Sequence, residues 1–352
     1  MNSLSPRVSQ KKINKKKKKV MVLIDLPFEA PEDHDYRDFE KDPDWKSELA
    51  VMKQLKKMGY DAHLFGLHDN INDLISMLQT QSYDFVFNLC ESYKDDREYE
   101  GNIASLLEVM EIPFTGANAR ALNLCKDKAL TKKILKFHGL DVPEFQEFPL
   151  NKKIKIQKNF PYPGVVKPVG YEGSEGIHGA SLVKNEKEAL KRIEYVQSKY
   201  KVDVLMEEYI HGREVYISLI GNKKVQAFHP QELFFDNMPE DMPRLASFKA
   251  KWDPKYRKKW DIDNGPVFDM DPALEKSIMD YGKKVYKIFG LNGYARFDLR
   301  VTDNGKIYFL EANPNPSIAP GDDFEQAAKE SGVSYRDLLS QVIRLSKKTG
   351  NA

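Results

Sequence analysis

Apolar runs and helically spaced apolar positions alternate along the chain from residue 20 onward. Residues 20–26 are almost continuously apolar and predict a buried strand. Asp42-Pro43 predicts a helix start, as N-cap and first position, with Trp45, Leu49, Met52 and Leu55 as its apolar stripe and Gly59 beyond its end. A strand is predicted over 60–65, a helix over 73–78 and a third strand over 83–89. This βαβαβ order implies a parallel sheet with helices on its faces and ligands at the carboxyl ends of the strands, where Asn88 and Glu91 fall.

After helices around 103–110 and 127–138, Gly139 leads into a region of different character. A short strand over 164–167, a glycine-rich stretch over 169–176, a helix over 186–200 and a strand over 203–209 make a compact α+β unit. Residues 214–221 and 224–235 predict a long antiparallel pair turning at Gly221-Asn222. Residues 236–269, rich in charge, proline and tryptophan, read as a loop or lid. Asp271-Pro272 then opens a scaffold helix with Leu274, Ile278, Tyr281, Val285 and Ile288 at helical spacing and Gly290 after it.

The segment 293–316 carries the most chemistry. Its Asn304-Gly305 pair, flanked by two alternating stretches, predicts a hairpin. With those two residues as the loop, Asp303 pairs with Lys306, which puts Asp298 opposite Glu311 and Arg296 opposite Asn313 on one face. Ala295, Phe297, Leu299, Tyr308, Leu310 and Ala312 form the apolar face that pins the register. Opposed carboxylates repel, so positive charge must stand between them. Magnesium suits the oxygen set of Asp298, Glu311 and Asn313. An exposed face on which Arg296 and Arg300 neutralise the acids would satisfy the same pattern.

Two further motifs favour a phosphate ligand. Lys167 ends a strand just before the closely spaced glycines Gly170, Gly173 and Gly176, an arrangement that lets backbone N–H groups and an ammonium approach phosphate oxygens. An ordinary flexible hairpin has the same composition, and the pattern is neither of the common nucleotide fingerprints. The apolar strand Leu205-Met206-Glu207-Glu208-Tyr209-Ile210 ends in acids and runs into His211-Gly212-Arg213-Glu214, which would suit an adenine edge and ribose hydroxyls.

Charge and composition narrow the classes. The net charge is +2, and seven lysines, Lys11, Lys12 and the run Lys15 to Lys19, precede the first apolar run. They read as a solvated tail with at most non-specific electrostatics, so no specific nucleic-acid partner is expected. No stretch approaches the roughly eighteen apolar residues of a membrane span. Two cysteines, Cys90 and Cys125, make no disulfide framework, and a cytoplasmic location is expected.

Ile112-Pro113-Phe114-Thr115-Gly116, Asp127-Lys128, Val165-Val166-Lys167-Pro168, Arg296-Phe297-Asp298 and Glu311-Ala312-Asn313, in this order and spacing, resemble the ATP-grasp superfamily and its D-alanine–D-alanine ligase-like carboxylate-amine ligases. The resemblance spans nearly everything after the basic tail. It implies an ATP-grasp fold, mixed α/β and α+β, with an N-terminal parallel α/β domain and central and C-terminal α+β subdomains clasping ATP. The expected divisions are a tail over 1–19, domains over 20–124, 125–208 and 209–346 with a lid loop over 236–269, and a tail over 347–352. The implied activity joins a carboxylate, activated as an acyl phosphate, to an amine, releasing ADP and phosphate. Its implied cofactors are ATP and one or two Mg2+ ions, for which Mn2+ would substitute. The implied partners are a small carboxylate donor and an amine acceptor, amino acids or a small peptide among them, and a second copy of the chain in a homodimer.

By position, the resemblance gives Lys128 and Lys167 to the ATP phosphates, with Glu172, Gly173, Ser174 and Gly176 in the loop that folds over them. Glu207, Glu208, Tyr209 and Ile210 would hold adenine, and Glu214 ribose. Asp298, Glu311 and Asn313 would ligate magnesium. Arg296 would face the oxygen that becomes negative, Lys251 would reach the γ-phosphate from the lid, and Ser174 joins these two as a catalytic candidate.

Three stretches depart from the family's pattern. Residues 27–34 lack the His-Ser-x-Glu-like segment after the first strand, Trp252 stands where a lid tyrosine is usual, and residues 314–323 replace a serine-containing loop that grips the second substrate's carboxylate. Asp322 and Asp323 would repel a carboxylate there, so the acceptor is expected to be an amine or cation without one. These departures argue against a D-alanine–D-alanine ligase proper. The remaining alternative is an ATP-binding module without ligase activity, against which Arg296, Asp298, Glu311 and Asn313 stand.

Overall fold

A computed structural model describes residues 17–29, 36, 39, 45–171, 176–239, 242–267 and 269–346. Three parallel strands, β1 (Lys19–Asp25), β2 (Asp61–Leu67) and β3 (Phe85–Asn88), lie in the order β2-β1-β3. Helices α1 (Lys46–Lys57) and α2 (Ile71–Thr80) make the crossovers. Helix α1 buries Val51 and Leu55, and α2 buries Leu74 and Leu78, as one apolar stripe of each helix dictates. The helix start expected at Asp42-Pro43 lies outside the described residues; α1 runs from Lys46 with Trp45 at its N-cap. Helices α3 (Glu100–Val109), α4 (Ala119–Lys126) and α5 (Lys128–Phe137) follow. The Asp127 carboxylate accepts from the Leu130 N–H at 2.8 Å and so fixes where α5 begins, one residue before Lys128.

The second sheet is antiparallel, in the order β4-β7-β5-β6, from β4 (Phe145–Phe148), β5 (Gly164–Pro168), β6 (Leu182–Val183) and β7 (Val204–Glu208). Helix α6 (Glu186–Tyr200) covers it. The third and largest sheet contains β8 (Arg213–Gly221), β9 (Val225–Ala227), β10 (Gln231–Phe235), β11 (Ile262–Pro266), β12 (Tyr294–Val301) and β13 (Ile307–Pro314). Its order is β11-β10-β8-β12-β13, with β9 paired to β8. Helices α7 (Phe248–Trp252) and α8 (Pro254–Trp260) lead into β11, α9 (Pro272–Ile288) backs the sheet, and α10 (Asp323–Glu330) and α11 (Tyr335–Leu345) complete the fold. Leu338, Leu339 and Val342 of α11 share one core with Val20, Val22 and Phe87 of the parallel sheet. No helix among the described residues is long and apolar enough to cross a membrane.

Three expectations are corrected. The strand expected over 224–235 breaks between β9 and β10, where Pro230 has no N–H to give and the His229 N–H donates to Ser331 Oγ instead. Residues 236–269 are not simply loop, since they hold α7, α8 and β11. Ser247 caps α7, Asp253-Pro254 caps and opens α8, and β11 pairs antiparallel with β10. The hairpin loop spans three residues, closed by the Thr302 N–H on the Lys306 carbonyl at 3.0 Å, with Gly305 at φ 78. A bulge beyond Asp298 then restores the expected partners Asp298↔Glu311 and Arg296↔Asn313. Phe309, not Tyr308 or Leu310, therefore points into the core, with no exposed surface.

Gly293 leads into β12 against the first unit. Its φ is +73, and a Cβ there would stand 2.5 Å from the Gly116 carbonyl oxygen. Gly293→Ala is therefore expected to destabilise the fold by about 2 kcal/mol, read as a lowered urea midpoint.

Candidate active site

The site is assembled from α5, the second and third sheets and α7. On β12 and β8 the register sets Arg300 opposite Glu214 and Asp298 opposite Tyr216. Arg300 Nη2 donates to Glu214 Oε2 at 2.8 Å, so Arg300 neutralises Glu214 and not the Asp298–Glu311 pair. The face is not exposed, with Asp298 and Arg300 at 2% and 3%. Arg296 Nε donates to Asp298 Oδ1 at 2.8 Å and Nη2 to Oδ2 at 3.2 Å, a two-pronged grip. The Arg296 guanidinium lies 4.8 Å from the centre of the buried Tyr216 ring. Asn313 Nδ2 also donates to Asp298 Oδ1, at 3.2 Å, which leaves the amide oxygen as its remaining acceptor.

Helix α5 brings Lys128 and Lys132 to the same region, one turn apart on one face. Lys128 Nζ donates to the Tyr171 carbonyl at 3.0 Å and lies 3.7 Å from Glu311 Oε2. Lys132, wholly buried, pairs with Glu207 Oε1 at 2.8 Å and also donates to the Leu310 carbonyl. Lys167, at the end of β5, holds the other Glu207 oxygen at 2.7 Å. From the lid, α7 places Lys251 Nζ 3.6 Å from Asp298 Oδ2. Protein cations thus flank the two carboxylates, Arg296 and Lys251 at Asp298 and Lys128 at Glu311.

Burial alone would raise the Glu311 carboxyl, but Lys128, Lys251, Lys167 and Arg296 reverse that and hold it well below the usual range. Burial lowers Lys132 to about 8 against the opposing pull of Glu207. For Glu214 burial wins over Arg300, and its carboxyl is raised.

Lys167, Glu207, Glu208, Tyr209, Ile210, Glu214, Lys251, Asp298 and Glu311 all line one cleft of about 630 Å³. Lys128 joins it through Glu311, and Arg296 and Asn313 through Asp298. Gly176 precedes the cleft-lining Ile177, and a Cβ on it would meet Pro168 Cγ at 2.7 Å. Glu172, Gly173 and Ser174 lie outside the described residues. Sequence reasoning missed Lys132, Tyr216 and the cleft-lining Leu310. For Lys132 the signal was the four-residue spacing from Lys128; Leu310 was hidden by the bulge. Asp322 and Asp323 do not present free charge to an acceptor: Lys46 and Ser317 bond Asp322, while Arg296 and Asn264 bond Asp323.

Comparison with known proteins agrees with this geometry. The family described as D-ala D-ala ligase C-terminus matches residues 128–344. The D-alanine–D-alanine ligase of Geobacter sulfurreducens is 30% identical over 303 residues, 84% of this chain and 86% of that protein. That of Carboxydothermus hydrogenoformans is 28% identical over 305 residues, 84% and 91% of the two chains. Among solved structures, the D-alanine–D-alanine ligase from Bacillus anthracis complexed with ATP shares the fold at TM-score 0.72, over 94% of this chain and 97% of that one, with 21% identity. The chain belongs to the D-alanine–D-alanine ligase family and is an ATP-dependent carboxylate-amine ligase.

Proposed function

We propose that the cleft binds ATP between the second and third sheets, passes its γ-phosphoryl group to a substrate carboxylate and exposes the acyl phosphate to an amine, with ADP and phosphate released. The observation that carries this reading is the convergence of Lys128, Lys251 and Arg296 on the buried Asp298–Glu311 pair. Phosphoryl transfer is accelerated mainly by positioning and by neutralising charge on the moving group, and fixed cations in a water-poor cleft do both. Lys167 and Lys128 serve the phosphates, and Lys251 serves the γ-phosphoryl group as the lid closes. Arg296, held by Asp298, faces the oxygen that becomes negative when the amine attacks. Tyr209, Ile210 and Leu310 provide apolar surface for a base, and the buried Glu214 an acceptor for ribose hydroxyls.

Asp298, Glu311 and Asn313 offer two carboxylates and an amide oxygen, a donor set that fits Mg2+ or Mn2+. When bound, the ion would add neutralising charge at the phosphates. The division at 20–124, 125–208 and 209–346 belongs to the same proposal, as does a homodimer. Two free, buried cysteines and the use of ATP favour the cytoplasm. The relatives are named for joining D-alanine, and amino acids or a short peptide are the proposed substrates. The test is ADP and phosphate release from Mg-ATP across a matrix of amino acids, amino amides, dipeptides and amines. Release that needs one donor and one acceptor together is expected; release indifferent to both would overturn the ligase chemistry.

A further inference from the structure

Arg296 is held by a second carboxylate, and that carboxylate leads to the lid. Asp323, the first residue of α10, accepts from Arg296 Nη1 on Oδ2 at 3.3 Å and from Asn264 Nδ2 on Oδ1 at 3.0 Å. The Asn264 amide oxygen accepts in turn from Arg257 Nη2 at 3.1 Å. Arg257 Nη1 donates to the Ala250 carbonyl of α7 at 2.8 Å. Lys251, the next residue of α7, stands 3.6 Å from Asp298, the other carboxylate that grips Arg296. The contacts close a ring that runs from α7 through α8, β11, α10 and β12 back to α7.

Each joint of the ring is used on both sides. Asn264 spends its amide N–H on Asp323 and its oxygen on Arg257, and Asp323 spends one oxygen on each neighbour. Among the described residues Arg296 gives three of the five guanidinium donors to protein, Nε and Nη2 to Asp298 and Nη1 to Asp323. One N–H on each terminal nitrogen is left for an anion. Asp298 alone would let the guanidinium swing with its own strand, whereas Asp323 gives it a second fixed point on a different element. The N-terminal end of α10 suits that role, because the helix dipole favours negative charge there. Helices α7 and α8, five and seven residues long, are too short to hold by themselves and depend on tertiary bonds. The Phe248 N–H on the Ile177 carbonyl at 3.1 Å is one such bond, and those of Arg257 are the others in the ring.

We propose that Asp323 is a positioning residue that ties the orientation of Arg296 to the seated lid through Asn264 and Arg257. Lid opening draws Arg257 away from Asn264 and loosens the second grip on Arg296, while Lys251 leaves Asp298. Lid closure restores both. Arg296 and Lys251 therefore reach the reacting group together, at the moment the lid excludes water from it. This rests on the ligase reading above and adds to it a link between the lid and the group that meets the developing negative charge. It also gives a task to Asp323 in the stretch 314–323, where the sequence departs from its family's pattern.

The test uses the full chain and two readouts. The first needs no substrate: limited trypsin digestion with Mg2+ and a non-hydrolysable ATP analogue present, since six lysines and arginines lie within residues 249–259 of the lid. Cleavage after Lys283 and Lys284 of α9 reports opening of the whole fold. Asp323→Asn and Asn264→Ala are each expected to speed lid cleavage about ten-fold and leave α9 cleavage unchanged. The double variant should be cut no faster than the quicker single, as two members of one link require. The second readout is single-turnover ADP formation with the donor and acceptor found in the matrix above. Asp323→Asn should lower it about 10- to 100-fold at unchanged affinity for the nucleotide analogue, and Asn264→Ala should lower it without bonding Arg296 itself. Unchanged lid cleavage in both single variants, equal acceleration in the lid and α9, or an ADP rate within about three-fold of wild type in Asp323→Asn would overturn the assignment. Lid cleavage as expected in a protein that forms ADP with no pair supports the link and counts against the ligase reading, so the two failures differ.

Discussion

Asp298→Asn and Glu311→Gln are each expected to lower ADP release by about 100- to 1000-fold, with little change in the melting temperature. Both substitutions keep shape and remove one charge. At Asp298 the loss reaches three groups at once. Arg296 loses the carboxylate that orients it through two bonds, Lys251 loses its anchor 3.6 Å away, and the ligand set for a divalent ion loses a member. At Glu311 the loss leaves Lys128 without its carboxylate partner and removes the anion around which Lys251, Lys167 and Arg296 gather. A residue with only a structural role would give a stability loss in proportion to the activity loss. The measurements are single-turnover ADP formation and nucleotide affinity, beside a thermal scan. Variants that fold normally and keep their rate within ten-fold would remove both carboxylates from the catalytic machinery.

That carboxylate pair was legible in the sequence for a reason that was only partly right. An Asn-Gly dipeptide supports a two-residue loop, and also a three-residue loop with glycine in the left-handed position. Thr302 selects the second, because its Oγ1 accepts from the Lys306 N–H at 3.1 Å and its backbone closes the turn. The one-residue shift this causes is undone by the bulge between the turn and Asp298. There Lys132 draws on the Leu310 carbonyl and Phe309 takes the core position. Two departures of opposite sign left Asp298 facing Glu311. The turn has a local cause in Thr302, whereas the bulge carries a bond from a lysine on a helix more than 170 positions earlier in the chain.

The lid shows the opposite case, in which the signal was present. Asp253-Pro254 repeats the N-cap and first-position pattern of Asp271-Pro272, and both open helices in the structure. What hid α7 and α8 was their length, too short for an apolar period to show. Motifs made of neighbours in sequence, such as Arg296 with Asp298 or Lys167 at a strand end, were readable because strand periodicity fixes which residues share a face. Pairings between distant elements, Arg300 with Glu214 or Lys132 with Glu207, follow from tertiary packing and had no local trace.

Glu207→Leu is expected to destabilise the folded chain by about 3–5 kcal/mol, because it strands two buried ammonium groups. Lys132 has no exposed surface and Lys167 is 7% exposed, and each forms an ion pair with its own Glu207 oxygen. Burial pushes the Glu207 carboxyl up, yet Lys132 and Lys167 more than reverse this and hold it below its ordinary value. Without it, burial and mutual repulsion both act against the lysines, and Lys132 would release its proton well below its present value of about 8. The sign of the pH dependence follows. In the folded wild type Lys132 binds its proton less tightly than in the unfolded chain, where its pKa is about 10.4. The unfolded state therefore carries more protons from about pH 8 upward, and this group adds stability as pH rises from about 8 to about 10. In Lys132→Met that contribution is absent. Urea denaturation at pH 7, 8.5 and 10 checks both statements. The double variant Glu207→Leu, Lys132→Met should lose less stability than Glu207→Leu alone, since only Lys167 is then left without its carboxylate. Equal losses in the single and double variants would mean that Lys132 does not depend on Glu207, and that the cost arises from packing around the cleft instead.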